Sequence, residues 1–311
     1  MAQEIPPTGI ELPAGSPAAS ELREWIAGLV GTEPFVVELS SILYAKAWGS
    51  TILCHAGETP LVLKIANPVV FPEASAVYRL LGNIAPDRTV RFHGAASFGP
   101  AECSLFEYLA GQTAEELPLR TGLVPTVEIL GTVQRLVAKA GMDSLPGYSI
   151  AAIPTALATD VDDQSPEVRT GLSDRLAALE ELARRVEARC FLSLDHPDVN
   201  PTNVILAADQ SWHIIDWEEA MVGCPLFSLD RVLDEVPADD EGLRREIEDA
   251  YLGALGDGDR ATLHMAGVIV PLRRAIEARQ FARAVGRSDP HTRFTGRMIA
   301  AALERLDSLG G

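Results

Sequence analysis

Short apolar runs separated by turn-forming residues fill the first third of the chain, a pattern typical of β-strands. The segment Ala56–Thr59 joins two of these runs and predicts a hairpin turn. Between the strands, Phe71–Leu81 has helical spacing, and Pro72 near its start suits a first helical turn. The predicted strands are Phe35–Leu39, Trp48–His55, Pro60–Ile65, Thr89–His93 and Cys103–Tyr108.

After Gly111 the apolar residues recur every three to four positions, which predicts amphipathic helices. These helices are Val124–Ala140, Pro166–Arg189, Glu241–Leu255, Arg260–Val285 and Thr292–Leu309. At the other end of the chain, residues 1–20 are rich in Pro, Ala and Gly and predict a flexible tail, followed by a helix over Glu21–Leu29. The predicted domains are therefore the tail, a β-rich lobe over 21–111 and a helical lobe over 112–311.

Composition narrows the classes of function. The chain has 311 residues, with 44 acidic against 26 basic side chains and a formal net charge of −18. Such a chain repels phosphate backbones, so a nucleic-acid partner is disfavoured. No apolar run reaches the length of a membrane span, so no membrane partner is expected. The four cysteines form no C-x-x-C pair, so neither a disulfide framework nor a zinc site is predicted, and a cytoplasmic location is expected.

Two short strand-like runs around a polar turn carry the most chemistry. Val204–Leu206 and Trp212–Ile215 flank the turn Ala208–Ser211, and antiparallel pairing about that turn sets Asn203 opposite Asp216. Directly opposed residues have Cβ atoms about 5 Å apart, so an amide oxygen and a carboxylate converge there. Oxygen ligands of this kind suit Mg²⁺, which takes few protein ligands and shares the rest with phosphates and water. Asn203 and Asp216 are thus the predicted metal ligands.

Asp198 lies in the loop that enters this predicted hairpin. From there its carboxylate can face the same point as Asn203 without binding the metal. A carboxylate so placed can orient and deprotonate an incoming hydroxyl. Asp198 is therefore the predicted catalytic base.

The order of these residues is similar to a known catalytic core. The chain reads H-x-D-x-x-x-x-N from His196 to Asn203, then an apolar strand and Asp216-Trp217. This resembles the aminoglycoside phosphotransferase and choline kinase family, part of the protein-kinase-like fold. The segment from Gly223 to Asp230 looks like the family's G-x-P-x-x-D-L element, with looser spacing. The resemblance implies an α+β fold of two lobes, a small antiparallel-sheet lobe with one helix and a larger, mainly helical lobe.

The resemblance also implies a nucleotide site in the first lobe. Lys64, one of only three lysines in the chain, lies in the third predicted strand and would hold the α and β phosphates. Glu73 would be its partner from the following helix. In the linker between the lobes, the carbonyl of Glu107 and the amide of Leu109 would bind the adenine edge, with Phe106 behind it. His196 would brace the catalytic loop by hydrogen bonding rather than take part in catalysis.

Two departures from protein kinases, in the loop after the first strand and at Glu218, favour the small-molecule branch of the fold, while Pro197 departs from that branch itself and motivates a silent module. The loop Ser40–Lys46 has no glycine where protein kinases use G-x-G-x-x-G, and Ser41 is a candidate phosphate donor there. Pro197 replaces the glycine of the family's H-G-D. Glu218 follows Asp216-Trp217 where protein kinases have the glycine of D-F-G.

Together these features imply an enzyme that uses ATP (or GTP) and Mg²⁺ to phosphorylate a hydroxyl of a small molecule. By resemblance the acceptor is an aminoglycoside-like antibiotic or an amino sugar, and choline or another small alcohol is the alternative. The acidic segments Asp160–Asp163 and Asp239–Glu241 are expected to be solvated loops or to attract an ammonium group. A catalytically silent nucleotide-binding module and a protein kinase are the competing hypotheses. P-loop, Rossmann, G-x-S-x-G and H-E-x-x-H motifs are absent. The oligomeric state is left open.

Overall fold

A computed structural model describes residues 17–46, 49–66, 69–142, 145–256, 258–286 and 289–309. Most of the predicted tail, and Trp48 of the second predicted strand, lie outside these ranges. The chain forms two compact units. The first consists of the chain up to Gly82 together with Val90–Leu109. The second consists of Asn83–Thr89 together with the chain from Ala110 onward. The predicted domain limits remain a prediction.

The first unit is built on one antiparallel sheet of five strands in the order β1-β2-β3-β5-β4. Its strands are β1 Val37–Lys46, β2 Gly49–Ala56, β3 Thr59–Ala66, β4 Phe92–Phe98 and β5 Ala101–Glu107. Two helices accompany the sheet, α1 Ala19–Val30 and α2 Ala74–Ile84. The β2–β3 turn is tighter than predicted because Ala56 pairs directly with Thr59, and Gly57 supplies the positive φ of 63° that a two-residue hairpin turn needs.

The two faces of β3 have different roles. Leu61, Leu63 and Ile65 point to one face and are buried in a core that also contains Leu22 and Ile26 of α1. Because side chains alternate along a strand, the intervening residues face the other side of the sheet. There Phe106 of β5 packs against Tyr78 of α2, with ring centroids 4.6 Å apart. The sheet is thus covered by apolar groups on both faces.

Several predicted boundaries in this unit are wrong. Phe35 is 86% exposed in a 3₁₀ turn, and β1 runs through the predicted loop Ser40–Lys46. β1 is an edge strand with two register shifts, so its apolar residues show no regular alternation. The strand predicted at Thr89–His93 lies at Phe92–Phe98, where small residues weaken the pattern. α1 begins two residues inside the predicted tail, and α2 begins three residues after Phe71.

The second unit is mainly helical and contains two small sheets, β6-β8-β9 and β10-β7. Its helices are α3 Leu119–Ala140, α4 Ile153–Ala158, α5 Pro166–Arg189, α6 Phe227–Leu233, α7 Glu241–Leu255, α8 Arg260–Ala284 and α9 Asp289–Leu309. Its strands are β6 Gly111–Thr113, β7 Ser193–Asp195, β8 Val204–Ala207, β9 Trp212–Ile214 and β10 Met221–Gly223. The predicted α+β class, with an antiparallel-sheet part and a mainly helical part, is confirmed.

Capping residues explain why two predicted helices match the structure residue for residue. Ser165 accepts a hydrogen bond from the amide of Val168 at the start of α5, and Pro166 occupies the first helical position. Asp240 accepts one from the amide of Leu243 at the start of α7. The acidic segment that contains Asp240 therefore caps a helix.

One feature contradicts the cysteine prediction. Cys190, which ends α5, forms a disulfide with Cys224, which follows β10, and their Cα atoms lie 6.0 Å apart. The two positions are 34 residues apart, so no short motif announces the pair. Disulfides are uncommon in reducing compartments, and the cytoplasmic location remains a prediction. Within the described part of the chain, every helix lacks the combination of length and apolar content that a bilayer span requires.

Candidate active site

The β8–β9 hairpin has a register one residue away from the predicted one. Val204 pairs with Ile214, and the amide of Ile215 donates to the carbonyl of Asn203 over 2.9 Å. The turn holds three residues instead of four, because Gln210 adopts a left-handed conformation with φ of 69°. The predicted direct opposition of Asn203 and Asp216 is therefore wrong.

Asp216 lies two residues after the end of β9 and adopts a left-handed conformation, with φ of 62° and ψ of 42°. Aspartate tolerates this region better than most residues, although it is sparsely populated outside glycine. The next residue, Trp217, is fully buried, and its Nε1 donates to the carbonyl of Ile214 over 3.0 Å. This anchor fixes the point where the chain turns. The direction of Asp216 is thus set by the turn and not by the strand register.

His196 connects the loop before β8 to the end of β9. Its Nε2 donates to the carbonyl of Ile215 over 3.1 Å, and its Nδ1 accepts from the amide of Asp198 over 3.3 Å. The ring is buried and lies 4.6 Å from the Trp217 ring. Burial lowers the pKa of His196, and the Nδ1 acceptor role requires the neutral imidazole. One side chain thereby holds the backbone next to Asp198 and next to Asp216.

The structure brings Asp198 and Asn203 into contact. The Asn203 amide nitrogen donates to the carbonyl of Asp198 over 2.9 Å and to its Oδ2 over 3.4 Å. Asn203 is only 8% exposed, whereas the Asp198 side chain is 49% exposed. Because Asn203 uses its nitrogen on Asp198, its Oδ1 is left for the acceptor role that a cation ligand needs. Asn203 and Asp216 together fit the oxygen chemistry of Mg²⁺.

Two residues that sequence analysis did not identify also hold Asp198. Asn200 donates to Oδ1 over 3.1 Å, and Arg231 of α6 places its Nε 3.4 Å from the same oxygen. Asn200 lies inside the catalytic motif, so its position could have been noticed. Arg231 lies 33 residues beyond Asp198, and no sequence spacing indicates the contact.

A buried polar network supports the loop from behind. The carboxylate of Asp195, the residue before His196, accepts from Ser228 over 2.9 Å and from Tyr148 over 2.8 Å. Arg273 of α8 pairs with the same carboxylate at 3.0 Å. Since a buried charge is costly unless paired, these contacts are what allow Asp195 to be completely buried.

Glu277 completes this network one helical turn after Arg273, with a nitrogen–oxygen distance of 2.7 Å. Burial raises the pKa of Glu277 to about 7, with the Arg273 guanidinium opposing the shift and the Asp195 carboxylate adding to it. A single guanidinium thus serves two carboxylates directly behind the catalytic loop.

Two carboxylates of the acidic segment Asp160–Asp163 form ion pairs within the protein. Arg279 of α8 pairs with Asp160 at 3.0 Å and with Asp163 at 2.9 Å, and Arg283 also contacts Asp160. These carboxylates join the segment before α5 to α8.

In the first unit, Lys64 lies near the end of β3, opposite Thr51 of β2 and Ser104 of β5. It is half-buried, and its Nζ lies 5.9 Å from the centroid of the Phe106 ring. Glu73 was predicted to lie inside the helix. It lies instead in the turn before α2, where its carbonyl accepts a hydrogen bond from the amide of Val77. The pairing of Lys64 with Glu73 remains a prediction.

The predicted adenine-binding segment lies at the end of β5. Glu107 is the last residue of that strand, and its carboxylate accepts from the amide of Arg91 over 2.8 Å. Leu109 follows outside regular structure and is half-buried. Ser41 belongs to β1, where it pairs with Leu53. Among the described residues there is no group of three or more His, Cys, Asp and Glu side chains that could hold a metal ion by themselves.

Comparison of the sequence with models of known families identifies the family of this chain. The sequence matches the model of a phosphotransferase enzyme family over residues 45–264. No curated protein sequence matched the chain.

Solved structures share the fold at low sequence identity. A thermostable mutant of aminoglycoside phosphotransferase APH(4)-Ia is 16% identical with a TM-score of 0.63, over 93% of this chain and 99% of that chain. Choline kinase LicA from Streptococcus pneumoniae is 14% identical with a TM-score of 0.64, over 93% and 98%. Spectinomycin phosphotransferase APH(9)-Ia is 12% identical with a TM-score of 0.54, over 92% and 98%.

These likenesses confirm the predicted protein-kinase-like fold. The family match covers more than half of the chain and includes His196, Asp198, Asn203 and Asp216. The protein therefore belongs to the phosphotransferase enzyme family.

Proposed function

We propose that this protein is a small-molecule kinase that transfers the γ-phosphate of ATP or GTP to a hydroxyl group. The observation that carries the proposal is the contact between Asp198 and Asn203, braced by the neutral His196. It joins a half-exposed carboxylate to an amide that offers a free oxygen. That pair can serve a hydroxyl and a metal-bound phosphate at the same time.

In this proposal the protein acts mainly by positioning. Asp198 accepts the proton of the acceptor hydroxyl, whose oxygen then attacks the γ-phosphorus. Asn203 and Asp216 hold Mg²⁺, which supplies charge neutralisation at the phosphates when it is bound. Phosphoryl transfer needs little covalent chemistry from the protein, so orientation and charge account for most of the rate.

The first unit supplies the proposed nucleotide site. Lys64 holds the α and β phosphates, steadied by Glu73. Ser41 donates to a phosphate oxygen from β1. The carbonyl of Glu107 and the amide of Leu109 bind the base edge.

For the acceptor we propose an aminoglycoside-like antibiotic or an amino sugar. Structural neighbours of this fold include APH(4)-Ia in complex with hygromycin B and APH(9)-Ia in complex with spectinomycin. The net charge of −18 favours a cationic partner. Choline, also a cation, is the second candidate, because choline kinases share the fold at similar TM-scores.

The test is a coupled assay of ADP or GDP release with a panel of hydroxylated acceptors. The panel contains aminoglycosides, amino sugars, choline and neutral sugars. The wild-type protein is expected to turn over with at least one amino-group acceptor. Asp198→Asn should lower kcat at least about 100-fold, because it removes the base and keeps the shape. A fully active Asp198→Asn protein would contradict the assignment.

A thermal-shift measurement, combined with the turnover assay, separates the enzyme from a silent module and from a protein that binds no nucleotide. Mg-ATP at about 100 times its Kd should stabilise the wild type by about 2.7 kcal/mol, since it binds only the folded state. Asp216→Asn should lose most of the Mg-dependent part of this shift. Stabilisation by Mg-ATP without turnover on any acceptor would favour the silent module.

A further inference from the structure

The catalytic loop carries no cation of its own. The eight residues from His196 to Asn203 include neither Lys nor Arg. The structure instead brings a guanidinium from α6, where the Nε of Arg231 lies 3.4 Å from Oδ1 of Asp198. The contact involves the proposed base itself.

This guanidinium is held independently of Asp198. Its NH1 donates to Oε1 of Glu235, in the turn that follows α6, over 2.9 Å. Asp234 adds a second carboxylate at 4.0 Å. The Arg231 side chain is 26% exposed, so the pairing is only partly screened by water. Arg231 is therefore fixed by carboxylates that directly follow its own helix, and it presents Nε to the loop.

The two carboxylate oxygens of Asp198 accept different numbers of hydrogen bonds. Oδ1 accepts from Arg231 and from Asn200, the latter over 3.1 Å. Oδ2 accepts from Asn203 over 3.4 Å. A carboxylate oxygen has two lone-pair sites, so Oδ1 is filled and Oδ2 retains one.

We propose that Arg231 is the positioning residue of Asp198 and that it selects Oδ2 as the oxygen that meets the acceptor. This rests on the proposed phosphotransferase function. The hydroxyl proton passes to Oδ2, and the hydroxyl oxygen forms the new bond to the γ-phosphorus. The bond from that phosphorus to the β–γ bridging oxygen breaks, and its electron pair leaves with the nucleoside diphosphate.

A purely structural role for Arg231 makes different predictions. α6 is anchored by Phe227, Leu229 and Val232, all of which are buried, while Arg231 lies on the partly exposed side. Removing Arg231 therefore leaves the apolar contacts of α6 unchanged. Removal of the Arg231 side chain should therefore lower kcat and leave the folded structure intact.

The experiment compares Arg231→Ala, Arg231→Lys and the wild type in steady-state kinetics on the acceptor that the wild type uses best. Arg231→Ala should lower kcat about 10- to 100-fold, the range expected for a displaced catalytic group, with the KM for nucleotide within about twofold. Arg231→Lys should recover part of kcat, and added ethylguanidinium should partly rescue Arg231→Ala but not Asp198→Ala. Arg184→Ala is the matched control, because Arg184 pairs with exposed Glu181 on the same helix, α5.

Crystal structures of the wild type and Arg231→Ala provide a readout that does not require turnover. The Asp198 carboxylate should rotate away from its present orientation in the variant. Unchanged kcat, or an unmoved Asp198, would overturn the proposal. So would a large loss of thermal stability without rescue by Lys or ethylguanidinium. A wild type inactive on every acceptor would refute the proposed function, while the two crystal structures would still decide the role of Arg231.

Discussion

At the scale of single residues, the imidazole of His196 has the most consequences for the candidate site. It is buried, neutral and bonded on both nitrogens, to the carbonyl of Ile215 and to the amide of Asp198. Protonation would turn Nδ1 into a donor facing another donor, the Asp198 amide. The same contact that orders the site therefore makes it sensitive to acid.

His196→Gln tests this coupling through the pH dependence of stability. Burial lowers the pKa of His196 in the folded state, so the unfolded state binds more protons near its usual value of about 6.5. The stabilisation is complete above that value and is lost as pH falls below it. The wild-type Tm should therefore fall between pH 7 and pH 5.5, and His196→Gln should have a lower Tm at pH 7 with a flatter slope.

His264→Gln serves as the control for that measurement. His264 lies on α8, outside the catalytic loop, with half of its side chain exposed and its Nε2 3.6 Å from a carboxylate oxygen of Glu248, so this variant removes an imidazole and leaves the loop contacts intact. The fall in Tm at pH 7 should be larger in His196→Gln than in this variant. An identical slope in His196→Gln and the wild type would show that His196 does not titrate on unfolding.

At the scale of elements, local signals determine what the sequence can predict. α5 and α7 are long and carry side-chain caps, so their limits were predictable. β6, β7 and β10 have three residues each and are too short to show any period. The predicted hairpin register is wrong because one non-glycine residue, Gln210, adopts a left-handed conformation that the sequence does not indicate.

The residues of the candidate site also differ in whether local sequence signals indicate them. His196, Asp198, Asn203 and Asp216 lie within one stretch of chain, and its resemblance to a family motif indicated all four, although the register argued for Asn203 and Asp216 is wrong. Arg231 and Arg273 reach the loop from α6 and α8, at positions that only the packing of helices determines. The groups proposed to touch substrate and the bracing His196 could therefore be predicted from the sequence, whereas the arginines that support the loop from α6 and α8 could not.

The disulfide encloses the elements that carry the candidate site. The chain between Cys190 and Cys224 contains β7, the catalytic loop, the β8–β9 hairpin and β10. Closing a loop of 34 residues restricts the unfolded chain and stabilises the fold by about 3–4 kcal/mol in the chain-entropy account. Cys54 and Cys103 are buried in the first unit, and burial raises the pKa of both thiols to about 12. They are poor nucleophiles for exchange with this bond.

The double variant Cys190→Ser/Cys224→Ser should have a Tm several degrees below that of the non-reduced wild type. A reductant should lower the wild-type Tm toward that of the variant and leave the variant unchanged, which makes the variant its own control. Thiol titration in denaturant should find two reactive cysteines in the wild type before reduction and four after it. Four thiols before reduction would show that the bond is absent in solution.

At the scale of the whole molecule, the excess of 18 negative charges acts beyond any single contact. Fields of this size raise the local concentration of cations and speed their association. Added salt screens the field, since the Debye length falls from about 30 Å at 0.01 M to about 10 Å at 0.1 M. A cationic acceptor and an anionic nucleotide should therefore respond to salt with opposite sign.

For a cationic acceptor, kcat/KM at saturating nucleotide should fall several-fold as salt rises from about 0.01 to 0.3 M, because screening removes the long-range attraction. A neutral sugar with a comparable hydroxyl is the matched control, and its kcat/KM should change little. Because the nucleotide is saturating, the opposite effect of salt on nucleotide binding does not alter the measured kcat/KM of the acceptor. Equal salt dependence for the two acceptors would remove charge as a reason to favour aminoglycosides, amino sugars or choline, and the acceptor would then have to be sought among neutral alcohols.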